Sequence, residues 1–175
     1  MLYRLTQLIG LATLSSSSAF ASEWGFEAGE SAEDVHTLSL LYRAETTTRL
    51  ESIGINLSRY GIKSYQDSSL FRWNLNGEDL YGATTNITFS YDFEALKIGS
   101  IYPVIEFGTG LGLLADVEIG PLDLGSAIQF KNHLGIGLTN DKLSLMFFAT
   151  HLSNAGIVAP NDGIDILSFA LRYKF

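Results

Sequence analysis

A histidine, a serine and a carboxylate fall close together near the end of this 175-residue chain: His151, Ser153 and Asp165, with the stretch 154–163 between them. A serine hydroxyl is a weak nucleophile until a neighbouring imidazole takes its proton. A carboxylate then holds the imidazole in one tautomer and stabilises the charge it acquires. Side chains at i and i+2 of one strand share a face, so His151 and Ser153 can approach each other. Asp165 reaches the second ring nitrogen if its strand runs beside theirs. The intervening loop offers donors for an oxyanion, and the Asn161 side chain with the Gly156 backbone amide is the expected pair. The chemistry of such a set is attack on an acyl carbon. A lone His-x-Ser at a strand end is more often a polar rim, so the surrounding elements have to decide.

Those elements read as strands. Leu167, Phe169, Leu171, Tyr173 and Phe175 alternate with Ser168, Ala170, Arg172 and Lys174, the period of a strand with one apolar face. Seven earlier stretches alternate in the same way: about 23–30, 35–43, 49–60, 81–93, 100–113, 126–138 and 142–153. In the seventh, Met146 and Phe148 weaken the polar face. Residues 1–21 have the build of a secretory signal. Arg4 is the positive end, Leu8 to Leu14 a short apolar core, and Ala19-Phe20-Ala21 a small-residue cleavage site. Beyond it no apolar run has the ~20 residues of a helical span.

Composition narrows the class further. The chain is 46% hydrophobic and 17% charged, and it has no cysteine for disulfides or thiolate metal sites. Its formal charge of -8 argues against a nucleic-acid partner. Export, an even number of alternating strands and a terminal Phe, which outer-membrane barrels share, predict an all-β fold. It is an eight-stranded antiparallel up-and-down transmembrane β-barrel of the bacterial outer membrane, a single domain over residues 22–175.

With Phe175 at the periplasmic rim, connections 31–34, 61–80, 114–125 and 154–163 fall outside the cell, and 44–48, 94–99 and 139–141 inside. The longest are then external, as outer-membrane barrels prefer. The inward residues Glu27, Arg43, Glu106, Gln129, Lys131 and Arg172 predict a hydrogen-bonded plug, since a barrel of about eight strands has no room for a channel. His133 belongs to that plug and His36 to a rim. Gly108, Gly110 and Gly112 are small inward residues, and Trp24, Trp73 and Tyr81 belong to a girdle or to loops.

Parity places the chemistry. His151 and Ser153 share the register of Leu143, Leu145, Phe147 and Ala149, and Asp165 that of Leu167 to Phe175, so all three project from the lipid-facing wall. Ten residues of strand rise roughly 33 Å, or roughly 25 Å across the membrane at a tilt of about 40°. The three groups therefore meet at the outer-leaflet boundary, and their target is a lipid.

The segment His151-Leu-Ser153-Asn-Ala-Gly156, followed by Pro160-Asn161-Asp162-Gly163-Ile164 and an acid, resembles that of the outer-membrane lipid A 3-O-deacylases. The similarity runs upstream through Gly125-Ser126, Phe130 and Leu134-Gly135, and more loosely through Pro103-Val-Ile-Glu106. It covers roughly the last 75 residues well, and the first half by strand pattern alone. The resemblance implies hydrolysis of the ester-linked 3-hydroxyacyl chain at the 3-position of lipid A, with no cofactor and no metal. Ser153 would be the nucleophile, His151 the general base and Asn161 an oxyanion donor, with Phe130 and Asn154 against the substrate. The family's acid is usually Glu, and Asp165 is one methylene shorter; Asp162 is the alternative acid. The expected partners are lipopolysaccharide and the outer membrane, with a homodimer whose second barrel gates the outward-facing site. Two other readings are a non-catalytic barrel acting as an adhesin or binding protein, whose function would survive loss of Ser153, and an acyltransferase, which would move the chain to an acceptor.

Overall fold

The computed structural model describes residues 22–175, so the expected signal over 1–21 lies outside the described residues. Eight strands close into an antiparallel barrel: β1 (Ser22–Ser31), β2 (His36–Glu45), β3 (Ile62–Leu75), β4 (Glu78–Asp92), β5 (Tyr102–Leu114), β8 (Ile128–Thr139), β9 (Leu143–Ser153) and β10 (Ile164–Lys174). Between β5 and β8, β6 (Glu118–Ile119) and β7 (Leu122–Asp123) form a small separate hairpin. Each barrel strand pairs with its neighbour in sequence, and β10 closes the ring on β1 with Phe26 opposite Leu171. Alternation is the cause. In β10 the even positions Ile164 to Arg172 are buried and Asp165, Leu167, Phe169, Leu171 and Tyr173 are exposed. A wall of exposed Leu, Ile and Phe on every face is unstable against water and suited to lipid.

The third strand is not where the alternation of Ile53, Ile55 and Leu57 puts it. Residues Thr47–Ser52 form a short α-helix and Ser58–Tyr60 a 3-10 turn, while the strand runs over Ile62–Leu75. Its first half, Lys-Ser-Tyr-Gln-Asp-Ser-Ser, carries polar residues on both faces and so hides its period. Asn76-Gly77, with φ of 53° and 93°, then makes a two-residue hairpin turn of the kind whose left-handed pair matches strand twist. Two expectations are corrected as a result. The long external loop 61–80 is replaced by that tight turn, and the long connection 46–61 lies at the rim of Phe175. Trp73 also leaves the girdle: it points inward and is buried.

The interior has two layers. Near the rim of Phe175 is the expected polar plug. Arg43 Nε and Nη2 donate to Asp67 at 2.6 and 2.7 Å, and Arg43 Nη1 donates to Glu106 at 2.6 Å. Arg172 Nη2 donates to the same oxygen of Glu106, Oε1, at 2.8 Å, and the Ser168 hydroxyl donates to Glu27 at 2.5 Å. Gln129 instead turns its amide to the carbonyls of Leu124 and Ser126. Towards the other rim the filling is apolar, with Phe71, Trp73, Leu80, Leu114, Leu152 and Ile166 packed under Ile119 and Leu124 of the β6–β7 segment. Met146 and Phe148, the residues that break the polar face of β9, pack inside with Val104 and Ala170. Gly135 makes this possible, because a Cβ there would collide with the Phe148 ring.

Glu106 is shared by two buried guanidiniums. Glu106→Ala leaves Arg43 and Arg172 short of a counter-charge, and breaking a buried pair costs about 3–5 kcal/mol. Denaturant unfolding of the refolded barrel in lipid should show a loss of that size, and an unchanged midpoint would contradict the network's role.

Candidate active site

β9 lies between β8 and β10, and its register assembles the site. His151 is the direct Cα partner of Asp165 on β10, and Ser153 is that of Phe130 on β8. All four side chains are on the outer wall. His151 Nδ1 sits 2.7 Å from Asp165 Oδ1, and His151 Nε2 sits 3.0 Å from Ser153 Oγ. With Nδ1–H donated to the carboxylate, Nε2 carries a lone pair that can accept the serine proton. The shorter acid is no obstacle. Residues directly opposite across an antiparallel pair have Cβ atoms about 5 Å apart, a gap that aspartate spans.

Gly163 keeps the ring's surroundings open. It has φ of 66°, and a Cβ there would stand 3.5 Å from both His151 Cε1 and Ser153 Cβ. Any side chain would be strained by that left-handed backbone and would lie in contact with the pair.

The loop 154–163 is held in place from both sides. The Asn154 amide N–H donates to Asn161 Oδ1 at 2.9 Å, which orients that side chain so that its Nδ2, the donor end, is the atom left for another acceptor. The Gly156 amide has no acceptor among the described residues. Both groups expected to serve an oxyanion are thus unspent donors. Asn154 itself has a different place from the one expected. Its side chain is buried and donates to the carbonyls of Leu124 and Val158, both at 2.9 Å, tying the loop to the β6–β7 segment instead of facing substrate. Asp162 is spent in the same way: its carboxylate accepts the Asp123 amide at 2.8 Å, so it is not the acid that serves His151.

One residue of the site escaped sequence reasoning. Asn132 is the direct partner of His151 on the β8 side and is exposed on the outer wall. The signal was present, because it is the polar position in an outward series otherwise made of Ile128, Phe130, Leu134, Ile136 and Leu138. Below the three groups a groove of about 340 Å³ descends the wall between Phe107, Leu134, Ala149 and Leu167. No group of His, Asp or Glu placed to hold a metal occurs among the described residues.

A relay of carboxylate, imidazole and hydroxyl on the outside of a barrel is a specific arrangement, and residues 36–174 match the model of a family described as Lipid A 3-O-deacylase (PagL). The chain belongs to the lipid A 3-O-deacylase family. It is 34% identical over 115 residues to the lipid A deacylase PagL of Pseudomonas aeruginosa, covering 65% of this chain and 64% of that protein. It is 35% identical over 74 residues to the lipid A deacylase PagL of Bordetella bronchiseptica, covering 41% of this chain and 40% of the other. The aligned stretches therefore span less than two thirds of both relatives. The crystal structure of the outer membrane enzyme PagL superposes with a TM-score of 0.68 at 26% identity, over 87% of this chain and 98% of that one. Neisserial surface protein A, at a TM-score of 0.52 and 14% identity, shares the barrel fold alone. As in that family, the barrel resides in the outer membrane. The family's deacylase site, in this member, would take its acid from an aspartate.

Proposed function

We propose that this chain hydrolyses the ester-linked 3-hydroxyacyl chain at the 3-position of lipid A, at the outer-leaflet boundary. The observation that carries this is the relay from Asp165 through His151 to Ser153 on the lipid-facing wall. Ser153 Oγ attacks the ester carbonyl carbon while its proton passes to His151 Nε2, and Asp165 holds the imidazolium so formed. The carbonyl oxygen becomes an oxyanion, received by Asn161 Nδ2 and the Gly156 amide. Collapse breaks the bond to the sugar oxygen, which leaves as a hydroxyl with the proton from His151. Water, deprotonated by the same imidazole, then cleaves the acyl-serine and releases a 3-hydroxy fatty acid. The groove beside Ala149 would receive the acyl chain.

Residues 1–21 fit this reading as a secretory leader that delivers residues 22–175 to the membrane. Every group named comes from one chain, so the expected homodimer is not required by the chemistry; a second barrel would act only as a lid over the outward site, and crosslinking in lipid at rising protein density tests it.

The direct test is to incubate the refolded protein with purified lipid A in detergent and follow products by mass spectrometry. Loss of one 3-hydroxyacyl mass with free acid released is the expected result. The same loss with the chain on an acceptor would make the protein an acyltransferase, and no mass change from a folded barrel would favour a binding role. A bulky side chain in the groove, as in Ala149→Phe, should lower turnover of long-chain substrate by about tenfold or more while leaving short soluble esters as substrates.

A further inference from the structure

We propose that the connection 46–61 is a second membrane-contacting element. It would lie on the outer wall at the rim opposite the catalytic groups and sit in the phospholipid headgroup region of that leaflet.

Both ends of this connection are fixed to the lipid-facing side of the barrel. Tyr65 points inward, with the Arg43 guanidinium 4.6 Å from its ring centre, so its neighbour Ser64 belongs to the outer face. Ser64 is nonetheless fully buried. What covers it is the start of the connection. The Thr46 N–H donates to the Ser64 carbonyl at 2.8 Å, the Thr46 and Ser64 hydroxyls meet at 3.1 Å, and the Ser64 N–H donates to Thr47 Oγ1 at 2.9 Å. A polar patch on a wall that meets lipid is thereby closed on itself, as a non-aqueous surrounding demands. At the other end Gly61 lies against the ring of Tyr91, an outward residue of β4 that pairs edge-on with Phe93.

Between these anchors the connection shows apolar groups to its surroundings. Ile53 is 72% exposed, Ile55 46% and Tyr60 65%. With both ends of the connection held on the lipid-facing wall, these groups would extend that wall below the strands. The polar chemistry suits a headgroup layer. The Glu51 carboxylate is turned onto the Ser58 hydroxyl and amide within the connection. The Arg59 guanidinium sits 5.9 Å from the Tyr60 ring centre, the pairing of an amphipathic ring with a cation that phosphate-bearing interfaces favour. Short amphipathic segments with apolar residues on one side and cations beside them lie in the boundary between headgroups and acyl chains.

The chain has no cysteine, so a single introduced thiol can be labelled uniquely. Ile53→Cys and Ile55→Cys replace exposed side chains and remove no core contact. Each would carry an environment-sensitive fluorophore. Asp141→Cys, on the tight turn of the same rim, is the reference. All three are refolded into phosphatidylcholine vesicles containing a phospholipid spin-labelled near the headgroup end of its acyl chain. The expected result is blue-shifted emission at 53 and 55, with quenching by the spin label at least about twofold stronger than at 141. Labels at 53 and 55 as open to aqueous iodide as the one at 141 would overturn the proposal. Shielding from both iodide and the lipid-borne quencher would mean that protein, a second barrel included, covers this face, and would overturn it as well. The readout does not involve deacylation, so the proposal stands or falls separately from the catalytic reading.

Discussion

Ser153→Ala is expected to slow lipid A deacylation by about 10⁴-fold or more, the loss typical when the nucleophile of a serine relay is removed. The hydroxyl sits at the outer wall, partly exposed, and its contact to the rest of the site is the 3.0 Å approach to His151 Nε2. The barrel should therefore fold as before. Retained slow migration of the heated against the faster unheated sample on a gel would establish that. His151→Ala should give a loss of similar size, and the double variant should be scarcely worse than either single one, because the two groups act as a unit. Two losses that multiplied would mean independent roles and would break the relay.

Asn161→Ala should lower kcat by about 10²–10³-fold with little change in KM, since an oxyanion donor acts on charge that develops only in the transition state. This residue has a second duty, because its Oδ1 accepts the Asn154 amide at 2.9 Å and so helps to set the loop. Asn161→Asp separates the two. The carboxylate keeps an acceptor for Asn154 and loses the donor. A loss in the Asp variant as large as in the Ala variant marks donation to the oxyanion. Near-full activity in the Asp variant would reduce Asn161 to a loop-positioning residue, with the Gly156 amide left as the donor.

The geometry of the candidate site was legible in the sequence because parity in a strand is rigid. A position two residues from another on β9 has one possible face, so the outward placement of His151, Ser153 and Asp165 followed from Leu143, Leu145 and Leu167 beside them. The register between strands was not legible in the same way. Nothing in the sequence says that Asp165 stands directly opposite His151, and this is what lets the shorter acid reach. Loop residues were read least well. Asn154 adjoins Ser153 in sequence, yet its direction is set by carbonyls of Leu124 and Val158 on two different segments. The misplaced third strand has a local cause: an apolar alternation at 53–57 outside the barrel competed with a true strand whose outward positions include Ser64, covered by Thr46 and Thr47 instead of lipid. Asn76-Gly77 was the turn signal that would have decided between them.

The most direct test of the relay is to expose the refolded barrel to a fluorophosphonate carrying a long alkyl chain, then map the adduct by peptide mass spectrometry. The reagent bonds to an activated serine oxygen with loss of fluoride. One adduct, on Ser153, that disappears in His151→Ala and blocks lipid A deacylation is the predicted result. An adduct on another serine, or deacylation that continues with Ser153 fully modified, would contradict the assignment of the nucleophile.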